Sequence, residues 1–215
     1  MKVGTDGVLL GAWARIEGCR RLLDIGTGTG LVALMAAQRV PEARVVAVEI
    51  DAEATAQARE NVAHSPFADR IEVVQADIRN YTSTDFFDAI LCNPPFFSEA
   101  TLPDHYGRAL ARHNSLLSFD ALIASVLRLL APDGTFHVIL PTTECKHFID
   151  SIFMSGINLV RQCQVRTVLH KVPKRTLLSF SRVGPLCTAS EELVLQQPDG
   201  TRTVDYARLT ADFYL

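Results

Sequence analysis

An α/β fold is predicted for this chain: a mostly parallel sheet with helices on both faces and an antiparallel edge at its C-terminal side. Three observations predict it. Short apolar, β-rich runs alternate with helix-length segments from Arg20 to about Met154. A glycine-rich turn joins the first strand to the helix that follows it. From Asn158 the helical segments give way to short β-rich pieces separated by turns. Alternation of the first kind implies right-handed parallel crossovers, and the later shift implies strands that close the sheet antiparallel.

Residues 1 to 13, MKVGTDGVLLGAW, become helical from about Asp6, with Val8, Leu9, Ala12 and Trp13 as an apolar face and Thr5 and Asp6 as candidate caps. Arg20 to Ile25 reads as a buried strand. Asp24-Ile25-Gly26-Thr27-Gly28-Thr29-Gly30 then turns into a helix that Pro41 stops. A second strand, Arg44 to Ile50, contains Glu49 and leads through Asp51 into an alanine-rich helix to Ala63. Ile71 to Ala76 forms a third strand ending at Asp77, and Phe86 to Cys92 a fourth ending at Asn93-Pro94-Pro95-Phe96. Phe119 to Leu130 reads as a helix, Pro132-Asp133-Gly134 as a turn and Thr135 to Leu140 as a fifth strand. Thr142 or Thr143 caps a helix to about Met154, and the later β pieces are Val165 to Leu169, Leu177 to Phe180 and Leu193 to Leu195. The expected organisation is one domain over 1–215, with an N-terminal segment (1–19), a core (20–157) and an antiparallel edge (158–215).

A length of 215 residues, 48% of them hydrophobic, suits one well-packed core. No apolar run approaches the length of a membrane span, and Met1-Lys2 leads into no secretory signal. Five cysteines, scattered and with no Cys-x-x-Cys pair, fit reduced thiols in a cytoplasmic protein and argue against a metal site. A net charge of −3 leaves nucleic-acid binding to a local basic patch.

The chemistry gathers at the strand ends. The glycine loop lacks the dinucleotide fingerprint, because Leu31 stands where glycine or alanine is needed, and Asp24 ahead of it would repel a pyrophosphate. That acid suits a cationic ligand. Glu49 can accept from both hydroxyls of a ribose, and Asp77 from an adenine amino group. A cationic amino-acid end, a ribose diol and an adenine, in that order, describe S-adenosylmethionine. At the fourth strand's end two prolines enforce a rigid, extended exit. They present the Asn93 amide oxygen, a proline carbonyl and the Phe96 ring, which together can hold a planar amino group on a heterocycle.

These motifs, Asp24 to Gly30 with Glu49, Asp77 and Asn93-Pro94-Pro95-Phe96, resemble the class I S-adenosylmethionine methyltransferases that modify planar nitrogens. With MKVGTDGVLLGAW, RALARH (108–113), PKRTLL (173–178) and DFYL (212–215), the whole chain is similar to the bacterial tRNA1(Val) adenine-N6 methyltransferases. The resemblance implies a Rossmann-like sheet of seven strands and methylation of adenine 37, in the anticodon loop. It also implies a further segment ahead of MKVGTDG. Asp24, Gly26 and Gly28 would line the methionine half of the cofactor, Glu49 the ribose, and Asp77 with Ile78 the adenine. Thr5 and Asp6 would close the cofactor pocket, while Asn93, Pro94 and Phe96, with Phe97 beside it, would hold the base.

Candidate RNA contacts are Arg108, Arg112 and His113 after the motif, and His170, Lys171, Lys174 and Arg175 around Pro173. Release-factor glutamine-N5 methylation is disfavoured by Phe96 in place of Tyr and by the lack of a preceding helical domain. Ribosomal guanine-N2 methylation is disfavoured by the single methyltransferase domain. A non-catalytic RNA-binding module would be expected to lose the intact loop or Asn93, and a nicotinamide oxidoreductase is opposed by Asp24 and Leu31.

Overall fold

The computed structural model describes residues 4–94 and 117–214. Five strands run parallel: β1 (Arg21–Ile25), β2 (Arg44–Glu49), β3 (Ile71–Gln75), β4 (Phe87–Cys92) and β5 (Leu130–Pro141). β6 (Asn158–Arg166) and β7 (Arg175–Ser181) form an antiparallel hairpin, and β8 (Glu191–Val194) pairs parallel to β6. The order across the sheet is β3-β2-β1-β4-β5-β7-β6-β8. The sheet thus has eight strands among the described residues where seven were expected; the additional outermost strand is β8.

Alternation along each strand builds two cores, one per face. Leu22, Val45, Leu91, Ile139 and Leu177 point to one face, where α1 (Thr5–Trp13), α2 (Leu31–Arg39) and Val62 of α3 (Ala52–Ala63) pack. Leu23, Ile25, Val48, Ile90, Val138 and Leu178 point to the other, against α4 (Phe119–Leu129) and α5 (Cys145–Phe153). In α4 the buried residues Leu122, Ile123, Val126 and Leu129 recur at helical spacing, and Ser118 caps the helix by accepting from Ala121 N at 3.2 Å. α1 is buried nearly all round, between α2 and the sheet. Gly7 and Gly11 permit this: a β-carbon at Gly11 would lie 2.8 Å from Met35 Sδ, and one at Gly7 3.2 Å from Leu31 Cδ2.

Several local expectations are corrected. Pro132-Asp133-Gly134 is no turn but part of β5, where pairing to β4 jumps from Phe87↔Leu130 to Ala89↔Thr135. Pro132 lies in that unpaired stretch, so its missing N–H removes no ladder bond. Neither Thr5 nor Asp6 caps α1: the N-cap is Gly4, without a side-chain bond. Glu144, not a threonine, starts α5. β6 begins at Asn158 and ends at Arg166, so Thr167 to Lys174 form a connecting loop. A short helix, α6 (Val204–Leu209), follows β8 and is capped by Thr203. His137 is buried with its Nδ1 2.7 Å from Ser179 Oγ and its ring edge-on to Trp13.

Candidate active site

The carboxyl ends of β1, β2, β3 and β4 converge, and every described candidate in the central strands lies there. The register sets Ile25 beside Cys92, so the glycine loop and Asn93 leave adjacent strands at the same level, about 5 Å apart. Gly26, Gly28 and Gly30 all take left-handed φ values (68°, 58° and 86°), which side-chain-bearing residues rarely adopt. The Gly26 and Thr27 amides donate to Val48 O at 2.9 and 3.1 Å, fixing the loop to β2. Among the described residues, a β-carbon added at Gly26 would meet nothing within 4 Å, so the turn is not packed against any of them.

Asp24 and Glu49 organise the loop differently. Asp24 is 1% exposed, and its Oδ2 accepts from Thr27 Oγ1 at 2.5 Å and from Ala33 N at 3.1 Å. It therefore sits beneath the loop rather than lining an open wall, tying the turn to the first turn of α2. Burial pushes its carboxyl up to about 7, against the lowering effect of those two bonds, and nearby Glu49 adds to the rise. Glu49 is half-buried. Its Oε2 accepts from Gly28 N, and its Oε1 from Ile50 N and Asp51 N, each at 2.9 Å. The cap of α3 is Asp51, so Glu49 serves the glycine loop instead of the helix. Burial, with Asp24 and Glu49 nearby, raises the Cys92 thiol well above its usual range, which excludes a reactive thiolate.

Asp77 is gripped by its own neighbour: Arg79 Nε donates to both carboxylate oxygens (2.9 and 2.8 Å) and Arg79 N to Oδ1 at 2.9 Å. The Arg79 bond holds the Asp77 carboxyl below its ordinary value. Ile78 is 6% exposed, with its carbonyl accepting from Arg128 Nη2 at 2.8 Å, so it offers backbone and not side chain. Ile50, 47% exposed directly after Glu49, was not singled out from the sequence. The signal for it was an apolar residue just past a strand-terminal carboxylate, where a flat ring can pack.

Asn93 is half-buried and Pro94 buried. The first turn of α1 lies near Asn93, since a β-carbon at Gly7 would lie 3.8 Å from Asn93 Nδ2. Thr5 is exposed in that turn, and Asp6 accepts from Arg175 Nε at 2.7 Å. Phe96, Phe97, Arg108, Arg112 and His113 lie outside the described residues. Lys171 and Lys174 are exposed in the β6–β7 loop, with His170 between Leu169 and Lys171. Because Arg175 pairs with Pro141 at the end of β5, this loop stands at the same end of the sheet as Asn93. Among the described residues no His/Cys/Asp/Glu group suits a metal, all five cysteines are free thiols, and no helix is long and apolar enough to cross a membrane.

The methyltransferase small domain matches residues 8–162. Proteins described as tRNA1(Val) (adenine(37)-N6)-methyltransferases are similar along the whole chain. The Bacteroides thetaiotaomicron protein is 45% identical, aligned over 100% of this chain and 91% of its own length. That of Phocaeicola vulgatus is 46% identical with the same coverage. Among solved structures, an Agrobacterium tumefaciens protein described as a predicted O-methyltransferase shares the fold at TM-score 0.75 and 19% identity, covering 96% of each chain. A glycopeptide N-methyltransferase complexed with S-adenosylmethionine follows at TM-score 0.61 and 16% identity, covering 84% of this chain and 99% of its own. By its motifs, its fold and these relatives, the chain belongs to the methyltransferase small-domain family and, within it, to the tRNA1(Val) (adenine(37)-N6)-methyltransferases.

Proposed function

We propose that this protein methylates N6 of adenine 37 in the anticodon loop of tRNA1(Val), with S-adenosylmethionine as methyl donor. The observation that carries it is the placement of Asn93-Pro94 on the strand next to the glycine loop, with Glu49 on the strand at the loop's other side and Asp24 beneath it. The room that the described residues leave at Gly26 and the acids around it fit a cationic cofactor, which brings an electrophilic methyl on its sulfonium. Gly26 and Gly28 line its methionine half with Asp24 beneath. Glu49 accepts from the ribose hydroxyls, and Asp77, sharing its carboxylate with Arg79, accepts from the adenine. Thr5 and Asp6 lie on the α1 side of this pocket.

The target nitrogen is a poor nucleophile, because its lone pair is delocalised into the adenine ring. The Asn93 side-chain oxygen and the Pro94 carbonyl accept its two hydrogens, which favours pyramidal geometry and turns the lone pair toward the methyl. Phe96 stacks on the base, assisted by Phe97. The nitrogen forms its bond to carbon as the sulfur–carbon bond breaks, S-adenosylhomocysteine leaves, and the surplus N6 proton passes to water. No covalent enzyme intermediate and no metal is needed. Taking a base out of its stack costs a few kcal/mol in a duplex and least in a loop, which suits an anticodon loop.

Lys171 and Lys174 on the exposed β6–β7 loop contact RNA phosphates, with Arg175 adding charge at the same edge and Arg108 and Arg112 contributing from the segment after the motif. A tRNA substrate and free thiols accord with the cytoplasm. The test is methyl transfer from labelled S-adenosylmethionine to tRNA of a strain lacking this gene, followed by nucleoside analysis. N6-methyladenosine in one valine tRNA is expected; label in ribosomal guanine or protein glutamine would move the substrate elsewhere. In the same assay Lys171→Ala with Lys174→Ala raises the tRNA KM roughly tenfold and leaves cofactor affinity unchanged, since phosphate contacts dominate RNA affinity. An unaltered KM would remove this loop from the RNA interface.

Asp24 sets a pH dependence. Its folded-state pKa, about 7, lies above the unfolded value of 3.8, so its contribution to stability is full below about pH 4 and is lost as pH rises through 7. A cationic ligand reverses the preference by stabilising the ionised form. Cofactor affinity therefore tightens from pH 5.5 to 7, by at most about tenfold per unit, and then levels. Titration calorimetry across that range checks it, and Asp24→Asn should flatten the profile.

A further inference from the structure

We infer that Arg175 is a positioning residue, which holds the first turn of α1 against Asn93 by clamping Asp6; the inference rests on the methyl-transfer reading above. The two ends of α1 are secured in unlike ways. At the C-terminal end, Arg161 lies 4.0 Å over the Trp13 ring and donates to Trp13 O at 2.9 Å, while Trp13 Nε1 donates to Glu191 Oε2 at 3.1 Å. Arg161 also pairs with Glu191 at 2.7 Å, so that end is fixed to β6 and β8.

Among the described residues, the N-terminal end has no comparable set of side-chain bonds. Gly4 caps the helix in an extended conformation with no side-chain bond, and Gly4 and Thr5 are both exposed. Asp6 Oδ2 ties this turn to the sheet by accepting from Arg175 Nε at 2.7 Å across 169 residues of sequence. The pair is only 34% and 26% exposed, against 87% and 62% for the surface pair Lys146–Asp150. Partial burial reduces solvent screening, and loss of one partner leaves the other charge poorly solvated.

The position of the clamp gives it a consequence for the reaction. Gly7, one residue past Asp6, lies close to the Asn93 amide and to Leu31 at the start of α2, where the glycine loop ends: a β-carbon there would lie 3.8 Å from Asn93 Nδ2 and 3.2 Å from Leu31 Cδ2. A shift of this turn therefore moves the wall shared by the cofactor loop and the base-holding amide. On the sheet side, Arg175 directly follows Lys174, whose backbone N donates to Val165 O at 3.1 Å and whose carbonyl accepts from Thr142 N at 3.2 Å. The loop assigned to RNA and the helix against the cofactor site thus meet at one residue anchored to β5 and β6.

The test compares Arg175→Gln, Arg175→Lys, Asp6→Asn and the double variant Asp6→Asn/Arg175→Gln in the full chain. The readouts are S-adenosylmethionine Kd by calorimetry without RNA, kcat and both KM values with tRNA, and Tm. Arg175→Gln and Asp6→Asn each raise the cofactor Kd and KM roughly tenfold, the double variant is no worse than either, and Arg175→Lys recovers most of the loss. The KM for tRNA moves less than the KM for cofactor. Additive losses in the double variant would overturn the clamp, as would a raised tRNA KM with cofactor affinity unchanged, which would make Arg175 an RNA contact alone. Should Arg175→Gln fail to fold, Asp6→Asn carries the same comparison. Wild-type protein that binds no S-adenosylmethionine would instead sink the methyl-transfer reading, and this inference with it.

Discussion

Asn93→Ala lowers the rate of methyl transfer to tRNA by at least about a hundredfold, while S-adenosylmethionine and tRNA still bind. Removing one preorganised hydrogen-bond partner of a developing charge costs on the order of a hundred- to a thousandfold in kcat, or roughly 3 to 4 kcal/mol. In the proposed mechanism the lost partner is one of the two acceptors that localise the lone pair on N6, and the Pro94 carbonyl cannot replace it. The effect belongs in kcat because the bonds to N6 strengthen as the nitrogen becomes positive, whereas binding of the base also draws on stacking and on phosphate contacts. Asn93 is half-buried at the end of β4 and does not belong to the hydrophobic core, so folding should survive the change. Single-turnover assays with saturating tRNA and cofactor check this; a rate within about threefold of wild type would end the proposed role of Asn93.

Glu49→Gln weakens S-adenosylmethionine binding by about a hundredfold. Two hydrogen bonds from a ribose diol to a carboxylate are worth roughly 1.5 kcal/mol or more each, and about 3 kcal/mol is a factor of about a hundred in Kd. The glutamine keeps the size but replaces one oxygen with a donor. Because the Glu49 carboxylate accepts from Gly28 N on one side and from Ile50 N and Asp51 N on the other, the new amide must turn a donor toward one of these N–H groups. The glycine loop loses an anchor together with the ribose site, so the loss shows in calorimetry without RNA. Unchanged cofactor affinity would take the ribose away from Glu49.

The contrast between these two residues and Asp24 explains how much of the site was legible before the fold. Asn93-Pro94, Glu49 and Asp77 were recognisable because each directly follows or ends a β-rich run, and strand-terminal position is a local property of sequence. Asp24 was recognised as part of the loop, but its seat beneath it was not, because burial at 1% depends on the packing of α2 above. The engagement of Asp77 by Arg79, two residues away, was in principle readable, since a short arginine–aspartate spacing in a turn allows a bidentate pair. Ile50 escaped attention because an exposed isoleucine acquires meaning only beside a site.

By itself the sequence determined the parallel strands, the helices between them, the glycine turn and which polar residues stand at the strands' ends. Periodicity and turn residues act over a few positions and are written where they operate. Only the tertiary structure decided which strand ends meet. It set β1 beside both β2 and β4, brought Asp6 to Arg175 and Trp13 to Arg161 and Glu191, added β8 to the edge, and drew Pro132 to Gly134 into β5. In that last case a β-carbon at residue 134 would lie 3.0 Å from the Phe87 and Asp88 carbonyl oxygens, so glycine there serves close strand packing and not a turn. These outcomes depend on burying two apolar faces of one sheet at once, a condition that couples residues far apart and leaves no signature at either position alone.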